Sequence, residues 1–290
     1  MSSINLNQHS LSIASGLSRL QPITDAISAR VSSGKRIDKP SVDVAGAARA
    51  SKLDSQQAGL RAVETNLQNG VSRMQVGTSQ LDTIAGIVTR MSEIATLNTN
   101  STQSTADRAL YQTEFAQLQG QLRQTIGGTT AEIGGATDVT NPLGAFGGTA
   151  LFGPGPGETL TIGLHSDERL TLPVMNFRTG ALGDLIHQDA SGAYTTTIEN
   201  SQATLGASLD QTSGAQALVG SVQSRLEFAA GVAVTASTNH EAALSVIRDA
   251  DIAADSTALA RLQILSESHT AMLAQARDTT GKLISLLSRN

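Results

Sequence analysis

The sequence contains no cysteine and no tryptophan, and aromatic residues make up only 2% of its 290 positions. The absence of cysteine excludes disulfide bonds and thiolate metal sites. Every Phe and Tyr lies between Tyr111 and Phe228, so both ends of the chain are free of aromatic residues. Globular cores usually draw much of their buried area from aromatic side chains. The two ends are instead rich in Ala, Leu, Ile, Val, Ser, Gln and Thr, which favours slim packing of helix against helix.

Several classes of function find no support in the composition. Charged residues amount to 16% and the net charge is −5, so no nucleic-acid partner is indicated. The sequence has no run of about 18 apolar residues, so we expect no membrane insertion. It begins MSSINLNQHS, without the basic and apolar segments of a secretory signal peptide. No motif predicts a catalytic, cofactor or metal site, and we therefore do not expect an enzyme.

The end of the chain, from Ile247 to Leu287, carries a seven-residue repeat. Its first set of positions is Ile252, Leu259, Ser266, Leu273, Thr280 and Leu287. The second set lies three residues further on, at Asp255, Leu262, His269, Ala276 and Leu283. Such spacing places one face of a helix against another helix. His269, like His240 upstream, is a polar residue at a repeat position, which more often fixes register than binds a metal. Asp249 and Asp251 precede a helical run, and we expect their carboxylates to interact favourably with the dipole at the helix N-terminus.

A matching repeat occupies residues 4–33 and predicts the partner helix. One set of its positions is Leu6, Ile13, Leu20 and Ile27, and the other is Ser10, Leu17, Thr24 and Val31. Pro22 interrupts this pattern, so we expect a bend or break near Gln21, or a helix that restarts with Pro22 in its first turn. Two slim, partly polar stripes cannot bury each other completely. We therefore expect both ends to be largely disordered in the isolated chain and to become helical only when further protein surfaces cover them.

Two longer repeats predict the helices between the ends. The first comprises Leu53, Leu60, Leu67, Met74, Leu81, Val88 and Ala95, and predicts one helix over 45–97. Ser104 and Asp107 then form a capping-box pattern ahead of a third helix, which Gly127 ends. The second long repeat comprises Leu205, Thr212, Val219, Leu226, Ala233, His240 and Ile247. We expect this helix to pack antiparallel to the helix over 45–97.

The middle of the chain has a different composition. Fifteen of the 27 glycines lie between Gly120 and Gly192, and four of the six prolines lie between Pro142 and Pro173. The segments GETLTIGL and ERLTLPVMNF alternate as strands do, with turn residues around them. We predict a small β-rich module of hairpins. We also expect it to contribute little to contacts made by the long helices, so that residues 136–192 should be dispensable for any association through those helices.

The predicted fold is mainly α: a long antiparallel, coiled-coil-like bundle formed by both chain ends, with a small β-rich module inserted in the middle. The expected segments are an N-terminal rod with its connector (1–44), the first part of a helical shell (45–127), the β-rich module (128–196), the second part of the shell (197–247) and a C-terminal rod (248–290).

Two stretches resemble one protein family. The connector carries Ser32-Ser33-Gly34, Arg36-Ile37, Asp43 and Ala45-Gly46, and the C-terminal region carries IRDADIA from Ile247, Gln263-Ile264-Leu265, Ala274-Gln275-Ala276 and Leu286-Leu287. Both resemble the corresponding segments of bacterial flagellins, in the same order along the chain. Departures from the family pattern are Val42 in place of an Asp, Asp255 in place of a Glu and Arg277 in place of an Asn.

The resemblance implies a structural subunit that polymerises into the bacterial flagellar filament, the helical propeller for swimming. It implies export in an unfolded state through the flagellar type III pathway to the extracellular flagellum. The implied partners are other copies of the chain, hook-associated junction and cap proteins, an export chaperone and the type III export apparatus. The residues expected to pack in the inner core are Leu6, Ile13, Leu20, Ile27, Ile252, Leu259, Leu262, Leu273, Leu283 and Leu287.

The resemblance also implies one recognition patch and leaves two alternatives open. Arg90, Ile94 and Glu114 fall where the family contacts an animal Toll-like receptor. One alternative function is a hook–filament junction protein. The other is a surface-displayed flagellin homologue whose middle module binds a ligand such as a polysaccharide. The aromatic residues there that could stack on sugars are Phe146, Phe152, Phe177 and Tyr194.

Overall fold

The computed structural model describes the backbone of residues 2–155, 157–165 and 167–287, and the side chains of those residues other than 2–7, 9, 10, 280 and 283–287. The chain forms two compact units. The first unit comprises Met1–Ala58 and Thr238–Asn290, and the second comprises Gly59–Ser237.

Helices dominate the described residues, which confirms the predicted fold class. The helices are α1 (Ser2–Ser33), α2 (Val44–Asn98), α3 (Thr105–Ile126), α4 (Thr130–Ile133), α5 (Ala181–Ile186), α6 (Gln202–Arg248) and α7 (Ile252–Leu287), with one turn of 3-10 helix at Ile198–Asn200. The strands are β1 (Ala145–Phe146), β2 (Thr149–Ala150), β3 (Thr159–Thr161) and β4 (Arg169–Thr171). α1 packs along α7.

α1 continues through Pro22 without interruption, so the predicted break near Gln21 and the predicted restart were wrong. Proline removes one backbone donor, which costs the hydrogen bond to the carbonyl four residues earlier. The inward-facing positions continue on both sides of it, with Leu20 and Thr24 half-buried and Ile27 buried. Packing of one uninterrupted face along α7 therefore outweighs the local cost of the proline.

α2 and α6 lie side by side and run antiparallel, as predicted. In the first unit Arg248 Nη1 donates to Asp54 Oδ1 at 3.1 Å. In the second unit Gln216 Nε2 donates to Asp82 Oδ1 at 2.8 Å. Leu226 packs over Gly70 of α2. A Cβ atom added at Gly70 would lie 3.4 Å from the methyl groups of Leu226 and 2.7 Å from Leu160 Cδ2. The glycine therefore permits the close approach of neighbouring side chains onto α2.

α3 begins with the capping box that the sequence predicts. The Ser104 hydroxyl accepts from the backbone N–H of Asp107 at 3.1 Å, and the Asp107 carboxylate accepts from the backbone N–H of Ser104 at 3.2 Å. α3 ends at Gly127, whose φ of 69° is a conformation that glycine adopts without strain.

The middle segment contains the expected hairpins, β1–β2 and β3–β4, although each strand is only two or three residues long. Turns and two short helices make up the rest. Its apolar side chains join the core that α2, α3 and α6 line. Phe152 and Phe177 stack there with ring centroids 5.0 Å apart, and both are buried. The segment is therefore part of the core of the second unit.

A buried arginine on α3 fastens the middle segment to the helices. Arg123 Nη1 donates to the carbonyls of Ile133 and Ile186 at 2.6 and 2.9 Å, and Nη2 donates to the carbonyl of Gly134 at 2.6 Å. Burial lowers the pKa of Arg123. No sequence pattern predicts this role, since an arginine on an amphipathic helix usually lies on the solvated face.

Candidate assembly surfaces

The contact between α1 and α7 follows the predicted repeats closely. On α7 the half-buried residues that match the repeat are Asp255, Leu259, Leu262, Ser266, His269, Leu273 and Ala276. On α1 the matching half-buried or buried residues are Ile13, Leu17, Leu20, Thr24, Ile27 and Val31. We call these thirteen residues the seam. Both ends of the chain thus present to each other the face that the seven-residue spacing predicts.

Four of the ten expected packing residues are not among the seam residues. Ile252 lies in the first turn of α7 and is 43% exposed in the single chain, so its packing in the inner core stays a prediction. The side chains of Leu6, Leu283 and Leu287 lie outside the described residues, so their predicted packing stays a prediction.

The two segments that carry the flagellin resemblance meet in the first unit, between the end of α1 and the start of α7. The backbone N–H of Arg36 donates to the carbonyl of Arg248 at 2.6 Å, and the N–H of Ala250 donates to the carbonyl of Gly34 at 3.0 Å. Arg36 Nη2 also donates to the carbonyl of Ile247 at 2.6 Å. The connector and the α6–α7 turn therefore form one short antiparallel bridge.

An ion pair reinforces the seam near this bridge. Arg30 Nε and Nη2 donate to the two carboxylate oxygens of Asp255 at 3.0 and 2.7 Å. Hydrogen bonding from Arg30 lowers the pKa of the Asp255 carboxyl, and the same contact raises the pKa of Arg30. Asp255 occupies a position of the seven-residue repeat, whereas no repeat position predicts Arg30 as its partner. The charge of Asp255 at a seam position could have indicated a cation such as Arg30, because a half-buried carboxylate needs a cation on the facing helix.

Asp251 caps α7. Its carboxylate accepts from the backbone N–H of Ala254 at 3.0 Å. This contact confirms the expectation for Asp251 at the helix N-terminus.

Away from the seam, α1 and α7 expose a second group of large aliphatic side chains. We call these the outer apolar residues, and they are Leu11, Ile23, Ile264, Leu265 and Met272. Leu11 is 70% exposed and Ile264 is 64% exposed. Scattered apolar residues on a surface are ordinary, but here they recur along two helices that are already paired with each other.

The expected receptor patch is only partly accessible. Arg90 Nε donates to Glu114 Oε1 at 3.0 Å and Nη1 donates to Glu93 at 3.1 Å, and both partners lie at the surface. Hydrogen bonding to Glu114 raises the pKa of Arg90. Ile94, by contrast, is fully buried. Its apolar side chain packs in the core, so its expected role as a surface contact is not met in this conformation.

The ligand-binding alternative also loses two of its four aromatic residues to the core. Phe152 and Phe177 pack against each other, and Phe146 and Tyr194 are half-buried. Burial raises the pKa of Tyr194. Stacking on a sugar requires an accessible ring face, which the two buried phenylalanines do not offer.

Within residues 2–155, 157–165 and 167–287, no group of His, Asp and Glu side chains is arranged to hold a metal ion. Across that same part of the chain, every helix falls short of the length and apolar character that a membrane span requires.

Comparisons with known proteins agree with this architecture. A family model for the bacterial flagellin N-terminal helical region matches residues 4–132, and one for the C-terminal helical region matches residues 202–287. Flagellin FlaB1 of Treponema pallidum is 30% identical over 261 residues, which cover 89% of this chain and 90% of the relative. The flagellar filament 33 kDa core protein of Treponema phagedenis is 31% identical over 268 residues, with the same coverage. A flagellin of Halalkalibacterium halodurans is 30% identical over 261 residues, or 89% of each chain.

Paired terminal helices with further apolar residues on their outer faces are the features of a structural protein that builds a helical polymer. The chain belongs to the bacterial flagellin family, and it is a structural subunit of the flagellar filament.

Proposed function

We propose that this filament subunit polymerises through α1 and α7, with the seam joining the two helices of one copy and the outer apolar residues contacting neighbouring copies. The observation that carries the proposal is the exposure of these aliphatic side chains on helices that are already paired. Burying one such side chain fully contributes about 1.5–3 kcal/mol. Several of them, repeated at every subunit, favour association strongly.

The same features support the finer points of the function. Few residues of α1 and α7 are fully buried, so little packing has to be undone before these ends pass through a narrow export channel. We therefore retain export in an unfolded state through the flagellar type III pathway, to an extracellular filament. The export chaperone, the export apparatus, and the junction and cap proteins are proposed as partners on family resemblance.

We also propose a receptor-contact patch that is smaller than the expected one, because it omits the buried Ile94. Arg90 and Glu114 form an accessible ion pair on α2 and α3, and they are the residues that a receptor could contact without unfolding the core.

The test of the proposal is to make the outer apolar surface polar. The double variant Ile264→Gln, Met272→Gln should melt like the parent protein yet form no long filaments by electron microscopy. Leu143→Gln is the matched control, because Leu143 is a similarly exposed aliphatic residue in the middle segment, 68% exposed. It should assemble normally.

Deletion of residues 250–290 extends the test to the whole helix. The truncated chain should keep the cooperative melting of the second unit and form no filament at any concentration. Normal filaments from the double variant would contradict the proposal. Short caps or rings from the parent protein would instead favour the junction alternative.

A further inference from the structure

An open apolar groove of about 690 Å³ lies in the second unit, between the β3–β4 hairpin and α6. Its floor is the buried Leu60 of α2, and its walls include Leu164 of the hairpin and Phe228 and Val232 of α6. Phe228 is 75% exposed, whereas the other four phenylalanines of the chain are buried or half-buried. The groove therefore shows solvent a large apolar surface that the chain itself does not cover.

The rim of the groove carries two charged side chains. Glu168 accepts from the backbone N–H of His165 at 3.2 Å. Arg225 of α6 is exposed, and it makes no hydrogen bond or ion pair with any residue that the structure describes. The groove thus combines apolar walls with one cation that has no partner within its own copy.

The corner where α2 ends and α3 begins carries the complementary features, and we call it the α2–α3 tip. Leu97 on α2 is 40% exposed and Leu110 on α3 is 69% exposed. The charged side chains of the tip are Arg90, Glu93, Asp107, Arg108 and Glu114. Carboxylates outnumber cations among them by one, since Arg90 alone pairs with both Glu93 and Glu114.

The groove and the tip lie at opposite ends of the second unit. Leu60 of the groove and Leu97 of the tip both belong to the uninterrupted helix α2. At 1.5 Å per residue they are separated by about 55 Å along it. The two surfaces therefore cannot meet within one copy. A contact between two different surfaces of identical copies is heterologous, and repeated without closure it produces an open helical filament.

We propose that the groove receives the α2–α3 tip of a neighbouring copy of this chain. Leu97 and Leu110 of the neighbour pack against Phe228 and Val232, and Arg225 lies close to the surplus carboxylate of the tip. A second copy is the occupant because the chain is a filament subunit, so every subunit has copies of itself at both ends. The inference goes beyond the proposed role of α1 and α7, since it adds a separate interface between second units.

The absence of cysteine allows a direct test by cross-linking. One chain receives both Leu110→Cys and Val232→Cys, is assembled into filaments and is treated with a short bifunctional thiol reagent. Each copy uses its groove for one neighbour and its tip for another, so we expect a ladder of covalent dimers, trimers and longer multimers. Filaments of either single-cysteine variant should yield monomers, and so should the double variant in dilute solution below the assembly concentration.

Leu143→Cys is the matched control for the tip. Leu143 is 68% exposed, almost the same as Leu110, but it lies in the middle segment. Leu143→Cys combined with Val232→Cys should give no ladder in the filament. This comparison separates a specific contact from general crowding of thiols in the polymer.

Phe228→Ala supplies a second measurement that needs no cysteine. Because Phe228 is mostly exposed, the monomer should melt like the parent protein. Loss of an apolar side chain that becomes buried on assembly should raise the critical concentration about tenfold or more. Leu143→Ala is the control and should leave the critical concentration unchanged.

Three results would each overturn the inference. The first is a ladder no stronger than that of the Leu143→Cys control. The second is covalent dimers from Val232→Cys alone, which would show that grooves face each other. The third is an unchanged critical concentration for Phe228→Ala, and this result decides alone should the double-cysteine chain fail to assemble. Failure of the α1–α7 proposal is recognised separately, by normal filaments from Ile264→Gln, Met272→Gln.

Discussion

The two units of the chain differ in how completely they bury their apolar residues. The second unit holds a continuous core that runs from Val63 to Ala233, in which residues such as Leu67, Leu81 and Leu122 are fully buried. In the first unit the buried hydrophobic residues among those described are Ile27, Ile37, Ala50 and Leu244, and none of them lies on α7. The second unit therefore has a fully buried core of its own, whereas the described residues of the terminal helices bury few apolar side chains fully.

This difference shows that a seven-residue repeat has two structural meanings in one chain. In α2 the repeat faces a core with several walls, because α3, α6 and the middle segment all contribute to it. In α7 the same spacing faces one helix, and its seam positions are only half-buried. Helices owe most of their stability to such burial, so equal patterns should give unequal stability.

The largest effect should follow from replacing Arg123, because it connects three parts of the second unit. Arg123→Met removes the donors to the carbonyls of Ile133, Gly134 and Ile186. A buried acceptor left without a donor costs about 1–3 kcal/mol. We expect a loss of at least about 3 kcal/mol in the free energy of unfolding by denaturant titration. Arg225→Met, an exposed arginine of α6, is the control and should change little. Equal stabilities would show that the middle segment is not held in this way.

A matched pair of substitutions compares a repeat position in the closed core of the second unit with a repeat position in the seam. Leu81→Ala, at a fully buried position of α2, should cost about 2–5 kcal/mol in monomer stability. Leu262→Ala, at a half-buried position of α7, should cost less than about 1 kcal/mol in the monomer and yet weaken polymerisation. Thermal unfolding and the critical concentration for assembly measure the two effects. Equal losses of monomer stability would remove the distinction between the units.

The smallest effect concerns the ion pair that joins the two terminal helices. The pKa of Asp255 is lower in the folded chain, so its contribution is present above the carboxyl's ordinary value, near pH 4, and is lost as the pH falls through the lowered pKa. Arg30→Met should therefore lower the stability of the α1–α7 pairing at neutral pH and match the parent in strong acid.

Arg30→Lys is the matched control for that experiment. It keeps the charge but loses the two-point contact, and its stability should fall between the parent and Arg30→Met. The pair is partly exposed, so the differences should be modest and should shrink with added salt. If the stability of the α1–α7 pairing differed between the parent and Arg30→Met by the same amount at all pH values, the ion pair would be excluded as the source of the difference.

The sequence was sufficient to predict the helices, their antiparallel order and the faces that meet, because apolar spacing encodes these directly. Leu259 and Leu273 lie in the seam as predicted, and Ser104 caps α3. The predicted break at Pro22 was wrong because the packing of α1 along α7 outweighs the local cost of the lost hydrogen bond, and that packing is not visible in the local sequence. The integration of the middle segment was missed as well, since its buried residues come from irregular turns that have no period.

That last result changes the expectation for the middle segment. Composition suggested that residues 136–192 could be deleted without harm to polymerisation. The segment contributes Phe152, Met175, Phe177 and Leu182 to the core of the second unit. Its removal would uncover apolar surface on the helices. We now expect such a deletion to destabilise the second unit.

Hydrogen exchange on the monomer and on the filament tests the central claim most directly. The account predicts that amides of residues 67–95 are protected in both states. It predicts that amides of 11–33 and 252–279 exchange fast in dilute monomer and become protected in the filament, since only neighbouring subunits complete their burial. Strong protection of Leu259, Leu262 and Leu273 already in dilute monomer would contradict the account.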